Sequence, residues 1–259
     1  MCNTLAKVTP ALLTFNEERN IERTLAALTW AERVVVVDSN STDATRRIAE
    51  SFPNVDMHVR TFVSHQDQWD YAIHGSGVCS AYVLALDADM RMKPAFVDEL
   101  RRFVMDGNCD GAVIPVEYWS LARPLRGSLY PPQLRLFRRD RVEVGQTGHT
   151  QTFCVSGSLC RFKQPLIHDD RKSVEHWIKS QISYSGLECS RLSRRRNASL
   201  KDRLRAAAVM PLFAGTFAYL RAGGPWTGKA AYQYALERFT YESLLAMRML
   251  SQSDDKESA

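Results

Sequence analysis

Two carboxylates separated by one residue, Asp87 and Asp89, directly follow the apolar run VLAL at residues 83–86. A hard divalent cation such as Mg²⁺ or Mn²⁺ binds oxygen ligands, often only one or two from protein, with phosphate and water completing its shell. One carboxylate of the pair can bond a ribose or a nearby donor while the other meets the metal. The pattern therefore favours a metal held on a nucleotide diphosphate, and a surface turn with two solvated aspartates is the alternative.

Polar residues also follow two earlier apolar runs. Thr14, Asn16 and Glu17 end or follow ALLT at residues 11–14, and Asp38 follows the run VVVV at residues 34–37. In open α/β sheets, ligands bind beyond the carboxyl ends of the strands. We therefore expect these three strand ends to lie along one edge of a sheet.

The elements that position these residues alternate between strand and helix patterns. RVVVVD at residues 33–38 is apolar without alternation, which is typical of a strand buried on both faces. Ile21, Leu25 and Leu28 have helical spacing, with Asn20 as the predicted N-cap. A further helix is predicted to start at Pro94. The alternation predicts a mostly parallel sheet covered by helices, followed by antiparallel strands after about residue 111 and helices after about residue 174.

The segments TFNEERNIERTL, VVVVDSNSTDAT and VLALDADM, in this order, resemble the family 2 glycosyltransferases, which are inverting enzymes of the GT-A fold. RPLRGSLYPPQLRLFRR, GHTQTF and IHDDRKSVEHWIKSQ are similar to a mostly uncharacterised bacterial branch of that family, related more distantly to enzymes that add sugars to lipopolysaccharide core. The resemblance implies an α/β GT-A fold, with a mostly parallel central sheet flanked by helices and a C-terminal amphipathic helical extension.

The resemblance also implies roles for the strand-end residues. It assigns the nucleotide-sugar pocket to Thr14, Asn16, Glu17, Asp38 and Asp87, with Asp38 in contact with the base or ribose, and the divalent metal (Mg²⁺ or Mn²⁺) to Asp89. Many relatives have an acidic residue directly after this triplet, whereas this chain has Met90, so no role is assigned there.

Inverting sugar transfer requires a base for the acceptor hydroxyl and positive charge near the leaving diphosphate. The segment IHDD offers Asp169 and Asp170, of which we favour Asp170 as the base. The alternative is that one or both aspartates cap the following helix. His149 in GHTQTF is a second candidate for the chemistry.

Three arginines, Arg135, Arg138 and Arg139, lie in an apolar-basic run that is predicted to be a strand. They could reach the phosphates of the donor. Because side chains alternate along a strand, only part of this run can face a pocket. A solvated basic edge that discourages strand pairing is the alternative.

The net charge of +5 is concentrated in one segment, since residues 191–229 contain nine Lys or Arg and one Asp. The 15 uncharged residues at 206–220 fall short of the roughly 20 that a membrane-spanning helix needs. We expect a kinked helix at the membrane interface, with its arginines on anionic head groups. Helices packed on the catalytic domain, or a dimer contact, are the alternatives. Nucleic acid is not an expected partner because no recognisable binding module is present.

The predicted organisation is a catalytic domain at residues 1–190, an amphipathic helical extension at 191–250 and a disordered tail at 251–259. Within the catalytic domain, residues 1–110 would bind the nucleotide sugar and 111–190 the acceptor. The six cysteines contain no C-x-x-C pair, which predicts reduced thiols in a cytoplasmic chain, with Cys154 and Cys160 as neighbours across a hairpin.

The predicted function is transfer of a sugar, with a UDP-sugar as the expected donor, to a lipid-linked or polysaccharide acceptor at the inner face of a bacterial membrane. One alternative is a nucleotidyltransferase that makes an activated sugar. Such enzymes carry a glycine-rich phosphate loop after the first strand, whereas TFNEERN contains no glycine. The other alternative is a non-catalytic, membrane-docked relative, which the absence of an acid at Met90 keeps open.

Overall fold

A seven-stranded sheet forms the core of the computed structural model, which describes residues 4–147, 150–193 and 200–257. Its strands are β1 (Val8–Thr14), β2 (Val34–Asp38), β3 (Val55–Val59), β4 (Tyr82–Asp87), β6 (Gly111–Ile114), β9 (Gln133–Arg138) and β12 (Leu159–Arg161). Their order across the sheet is β12-β6-β9-β4-β1-β2-β3. All neighbours pair in parallel except β9, which is antiparallel to both β4 and β6. The predicted mostly parallel sheet is confirmed.

The continuous apolar run of β2 is buried on both faces of the sheet. Val34 and Val36 belong to one hydrophobic cluster and Val35 and Val37 to another, because successive side chains point to opposite faces. The first cluster includes residues of α1 (Ile21–Ala26) and α4 (Pro94–Asp106), and the second includes Trp69 of α3 (His65–Asp70). Helices therefore cover both faces, as the unalternating valines predicted.

The predicted start of α4 at Pro94 is confirmed, and the helix ends at Gly107 in the left-handed conformation (φ 61°). The remaining helix on this part of the chain is α2 (Thr45–Glu50). Four short strands and a two-stranded hairpin complete the strand inventory of the described chain: β5 (Met90–Met92) pairs with β13 (Leu166–His168), β7 (Val116–Ser120) pairs with β8 (Arg123–Pro124), and β10 (Val142–Thr147) pairs with β11 (Thr150–Val155).

Contacts divide the chain into two compact units. The first comprises Met1–Glu117 and Tyr130–Arg171, and the second comprises Tyr118–Leu129 and Lys172–Ala259. The α-helices in the described residues of the second unit are α5 (Val174–Ser193), α6 (Leu200–Ala206), α7 (Met210–Arg221) and α8 (Lys229–Glu257). Since α8 continues to Glu257, the tail predicted to be disordered at residues 251–259 is helical over residues 251–257. Extending an existing helix by one residue is far easier than nucleating a new helix.

The prediction of reduced thiols is wrong for Cys109 and Cys160, which form a disulfide with a Cα–Cα distance of 6.0 Å. The parallel pairing of β12 with β6 brings these cysteines together, since Cys160 lies opposite Ala112. Cys154 instead lies on β11, opposite Glu143, and is not the neighbour of Cys160 across a hairpin.

Candidate active site

The carboxyl ends of β1, β2 and β4 lie side by side at one edge of the central sheet. Thr14 is in register with Asp38, and Leu13 is in register with Asp87. Parallel strands end at the same edge, so the polar residues that follow them converge. The expected alignment of these three strand ends is confirmed.

The loops after β1 and β2 are held together by hydrogen bonds. The backbone N–H of Asn16, which has a φ of 54°, donates to Ser41 Oγ at 2.9 Å. The Asn16 side-chain oxygen accepts from the backbone N–H of Thr42 at 2.9 Å. The backbone N–H of Glu17 donates to Thr45 Oγ1 at 2.7 Å. Asn16 and Glu17 therefore occupy a fixed loop at the predicted nucleotide pocket.

Asp38 is fully buried and supports the turn after β2. One carboxylate oxygen accepts from the hydroxyls of Thr14 (2.8 Å) and Ser41 (2.5 Å), and the other accepts from the Ser41 backbone N–H (2.8 Å). In this arrangement the carboxylate fixes the strand end. Its contact with a base or ribose stays a prediction.

Asp87 forms a two-bond ion pair with Arg135, whose side chain is almost completely buried. The guanidinium donates to both carboxylate oxygens, at 3.1 and 2.7 Å. Burial acts to raise the pKa of Asp87, but the charge and hydrogen bonds of Arg135 outweigh it and hold this pKa below its ordinary value. Arg135 therefore pairs with a carboxylate, while Arg138 pairs at the surface with Asp140. The ionised Asp87 can accept a hydrogen bond from a ribose hydroxyl.

Asp89 lies beside the segment that was predicted to supply the base. β13 runs antiparallel to β5 with His168 opposite Met90, and the Asp169 backbone N–H donates to the Asp89 backbone oxygen at 3.0 Å. His168 Nε2 lies 3.5 Å from an Asp89 carboxylate oxygen. Two segments about 80 residues apart in the chain are therefore adjacent, and the predicted metal ligand and base candidates share one site.

Asp169 is buried among three arginines. Its carboxylate accepts from Arg23 at 2.8 Å and from Arg171 at 2.7 and 2.8 Å, and Arg91 lies 3.4 Å away. Burial acts to raise the pKa of Asp169, but the hydrogen bond and charge of Arg171, with Arg23 and Arg91, lower it overall. Both oxygens are engaged and the group favours its ionised form, so Asp169 is a poor proton acceptor.

Asp170 is exposed and bonded to the buried side chain of Asn20. Asn20 Nδ2 donates to Asp170 Oδ1 at 2.8 Å and to Glu17 Oε2 at 2.9 Å. Asn20 occupies the predicted N-cap position of α1, but its side chain makes no cap hydrogen bond to this helix. Ser173, directly before α5, makes a helix-cap bond, since its Oγ accepts from the backbone N–H of His176 at 3.3 Å.

Asn20 and Arg23 are site residues that sequence reasoning missed. At the start of a helix, Asn20 has the signature of a cap and Arg23 that of a solvated side chain. Their spacing of three residues, which places both side chains on one helix face, was the available signal. His149, the second candidate for the chemistry, lies outside the described residues.

The donor set at Asp89 fits a hard divalent cation that takes most of its ligands from elsewhere. Within the described ranges, no group of three or more His, Cys, Asp or Glu could hold a metal by itself. Asp87 is paired with Arg135, so Asp89 is the carboxylate of this pair that could bind a metal, and its role as the ligand stays a prediction. A cation with one protein carboxylate, completed by phosphate oxygens and water, suits this arrangement.

Comparison with known proteins agrees with the fold and the order of these segments. Residues 11–164 match the family described as Glycosyl transferase family 2. An uncharacterized glycosyltransferase of Rickettsia bellii (strain RML369-C) is 31% identical over 196 residues, covering 70% of this chain and 65% of that curated relative's length.

A crystal structure of S. aureus TarS 1–349 in complex with UDP-GlcNAc superposes with a TM-score of 0.50 at 13% identity, covering 96% of this chain and 92% of that chain. This likeness confirms the predicted α/β GT-A fold, and the C-terminal helical extension is present in the structure. Since the family match covers more than half of the sequence, the chain belongs to glycosyl transferase family 2.

Proposed function

We propose that the chain is an inverting glycosyltransferase that moves a sugar from a nucleotide-diphosphate sugar, with UDP as the expected nucleotide, to a hydroxyl of a lipid-linked or polysaccharide acceptor. The observation that carries this proposal is the exposed Asp170 carboxylate, fixed by Asn20 in the segment that lies against Asp89. A single in-line displacement requires a proton acceptor, which Asp170 would supply, and positive charge at the leaving diphosphate, which a cation held by Asp89 would supply.

In this mechanism Asp170 accepts the proton of the acceptor hydroxyl. The hydroxyl oxygen attacks the anomeric carbon from the side opposite the leaving diphosphate, so the configuration inverts. Asp169 takes no part in proton transfer, since three arginines keep it ionised and engaged. Its role is to hold the segment that carries Asp170.

Asp89 would hold the divalent cation at the carboxyl edge of the sheet. When bound, the cation neutralises charge that develops on the leaving diphosphate. Asp87, ionised beside Arg135, would contact the ribose, and the fixed loop of Asn16 and Glu17 would line the nucleotide pocket.

The test of the proposed function is UDP, GDP or dTDP release from a panel of sugar donors in the presence of Mn²⁺, with mass detection of transfer to glycolipid acceptors. We expect turnover with at least one UDP-sugar. Nucleotide binding by the wild-type protein without turnover of any donor would support the non-catalytic relative instead. Formation of a nucleotide sugar from a sugar phosphate and a nucleoside triphosphate would support the nucleotidyltransferase.

Removing the carboxylate of Asp89 is expected to abolish the metal dependence of nucleotide binding. For Asp89→Ala, we expect the affinity for UDP in the presence of Mn²⁺ to fall by at least about 10-fold, to the value measured without metal. Titration calorimetry with UDP, with and without Mn²⁺, measures this directly. Asp98→Ala, at an exposed position of α4, is the control, and a metal-dependent increase that survives in Asp89→Ala would exclude this ligand.

The outer face of α7 supports the proposal that the enzyme contacts an anionic membrane. The helix packs its small residues inward and presents large apolar side chains to solvent. The inward residues are Pro211, Ala214, Gly215 and Ala218, and the outward ones are Leu212 (66% exposed), Phe213 (60%), Phe217 (59%) and Leu220 (65%). A Cβ at Gly215 would lie 3.2 Å from Phe239 Cβ, which explains a small residue on the inner face.

The charges around this face suit an anionic surface. Arg221 at the end of α7 and Lys229 at the start of α8 are exposed, and Trp226 between them is 79% exposed. Residues 204–236 contain no Asp or Glu. No helix in the described part of the chain is long and apolar enough to cross a bilayer. These features support the proposal of a helix lying in the interface at the inner face of a bacterial membrane, where it would meet a lipid-linked acceptor.

Acidic substitutions on this face are expected to release the protein from membranes. The double substitution Leu212→Glu with Phe217→Glu should abolish flotation with vesicles that contain phosphatidylglycerol, because two charges would have to enter the apolar boundary. Met105→Glu, at an equally exposed apolar position of α4, should float like the wild type. Wild-type flotation that is insensitive to lipid charge and salt would contradict the membrane proposal, and a concentration-dependent dimer lost in the double variant would favour a protein contact.

A further inference from the structure

The side chain of Asn20 is hydrogen-bonded to two carboxylates, those of Glu17 and Asp170. We infer that Asn20 is the positioning residue that holds the Asp170 carboxylate in place for proton transfer, an inference that rests on the proposed function. The two partners of its amide nitrogen, Glu17 and Asp170, are 153 residues apart in the sequence. One lies in the loop of the proposed nucleotide pocket and the other is the proposed base.

The Asn20 side chain uses its full hydrogen-bonding capacity. Its NH₂ group donates to Glu17 Oε2 at 2.9 Å and to Asp170 Oδ1 at 2.8 Å. Its oxygen accepts from the Arg171 backbone N–H at 2.9 Å and from Arg23 Nη2 at 2.8 Å. Two donors and two lone pairs are the complete inventory of a primary amide. The partners also fix its orientation, because a flipped amide would face its NH₂ group toward two donors.

The position of Asp170 depends on an uncharged donor at this place. Two oxygens bonded to the two hydrogens of one NH₂ group lie about 5 Å apart, so the carboxylates of Glu17 and Asp170 face each other closely. Like charges at this separation repel each other, and the amide between them compensates for the repulsion. Asn20 is fully buried, so water cannot replace it readily.

This arrangement fixes the proton acceptor relative to the loop that would hold the donor. Asp170 is exposed, and its hydrogen bond to the buried Asn20 ties its carboxylate to the loop after β1. Misplacement of a reacting group by about 1 Å can cost about 100-fold in rate. Loss of Asn20 should therefore lower kcat and leave the KM for the donor nearly unchanged.

Two substitutions separate this role from a merely structural one. Asn20→Ala removes all four bonds and should lower kcat for UDP release by about 100-fold. Asn20→Asp keeps an acceptor for Arg23 and the Arg171 N–H, so a structural role predicts near wild-type turnover. If Asn20 instead separates two carboxylates, the added charge should lower kcat at least as much as Asn20→Ala. Asn54→Ala is the control, because Asn54 also donates two amide bonds, to Leu28 and Ala31 carbonyls, outside the site.

A double-mutant cycle with Asp170→Asn tests whether Asn20 acts through Asp170. The variant with both Asn20→Ala and Asp170→Asn should be no slower than Asp170→Asn alone, because residues that act as one unit are not additive. The inference would be overturned if the kcat losses of the two single variants multiplied in the double variant, or if Asn20→Asp kept the wild-type kcat. In either case, turnover by the wild-type protein would still support the proposed function. A wild-type protein that releases nucleotide from no donor in the panel would refute the proposed function and this inference with it.

Discussion

Asp170→Asn is expected to lower the turnover number for UDP-sugar by between about 10²- and 10⁴-fold, the range typical of losing a general base. The substitution keeps the size of the side chain and an oxygen that can accept the Asn20 bond, and removes the ability to take a proton. Affinity for UDP should stay close to the wild-type value, since Asp170 lies in the segment that follows β13 rather than at the ends of β1 and β2. Steady-state kinetics and calorimetry on the same preparation measure the two effects.

The control for this variant is Asp106→Asn, an exposed carboxylate at the end of α4. It should leave both turnover and UDP affinity unchanged. Wild-type turnover in Asp170→Asn would show that the proton acceptor lies elsewhere, and His149 would then be the next residue to substitute. A loss of UDP affinity equal to the loss of turnover would identify Asp170 as a donor-binding residue.

Asp169→Asn is expected to affect mainly the stability of the protein, whereas Asp170→Asn is expected to affect mainly its turnover. Removing one partner from a buried ion-pair cluster leaves uncompensated charge, which costs about 3 kcal/mol or more in free energy of unfolding. Here Arg23, Arg91 and Arg171 would share a neutral amide. Urea unfolding at pH 7 measures the loss. Asp140→Asn, which removes the exposed partner of Arg138, should scarcely change stability.

The stability difference should depend on pH in a defined direction. The folded state lowers the pKa of Asp169 below its ordinary value of 3.8. Its contribution is therefore complete above pH 3.8 and is lost as the pH falls through the lower folded-state pKa. The gap between wild type and Asp169→Asn should be constant near neutral pH and shrink only in acid. A gap that closes between pH 6 and 8 would assign the effect to another group.

The edge of the sheet could be predicted because local patterns determine it. Unbroken apolar runs identify buried parallel strands, and parallel strands end at a common edge, so Thr14, Asp38 and Asp87 had to be neighbours. The adjacency of Asp89 to Asp169 was harder to predict. It depends on the pairing of two three-residue strands, β5 and β13, that are too short to show any periodicity.

The hydrogen-bond partners of Asn20 and Arg135 could not be predicted from the sequence. An asparagine that caps a helix and one that bonds residues distant in the chain look the same in the sequence. Alternation along β9 showed that only some arginines could face the pocket, but pairing Arg135 with Asp87 required knowing that β9 lies next to β4. The disulfide depended in the same way on the placement of β12 beside β6. Local secondary-structure propensity does not determine which distant strands become neighbours.

Because Asp169 and Asp170 have opposite surroundings, the chain between β13 and α5 should not tolerate a change in length. One carboxylate is enclosed by guanidinium groups and its neighbour is open to solvent, although a single peptide bond separates them. Deleting one residue of β13 would shift Asp170 into the arginine cluster, whereas inserting one directly after His168 would move Asp169 to the exposed position and Asp170 beyond it. Asp170, the proposed proton acceptor, would be displaced in either case, so we expect neither insertions nor deletions in this stretch even where every other side chain is retained.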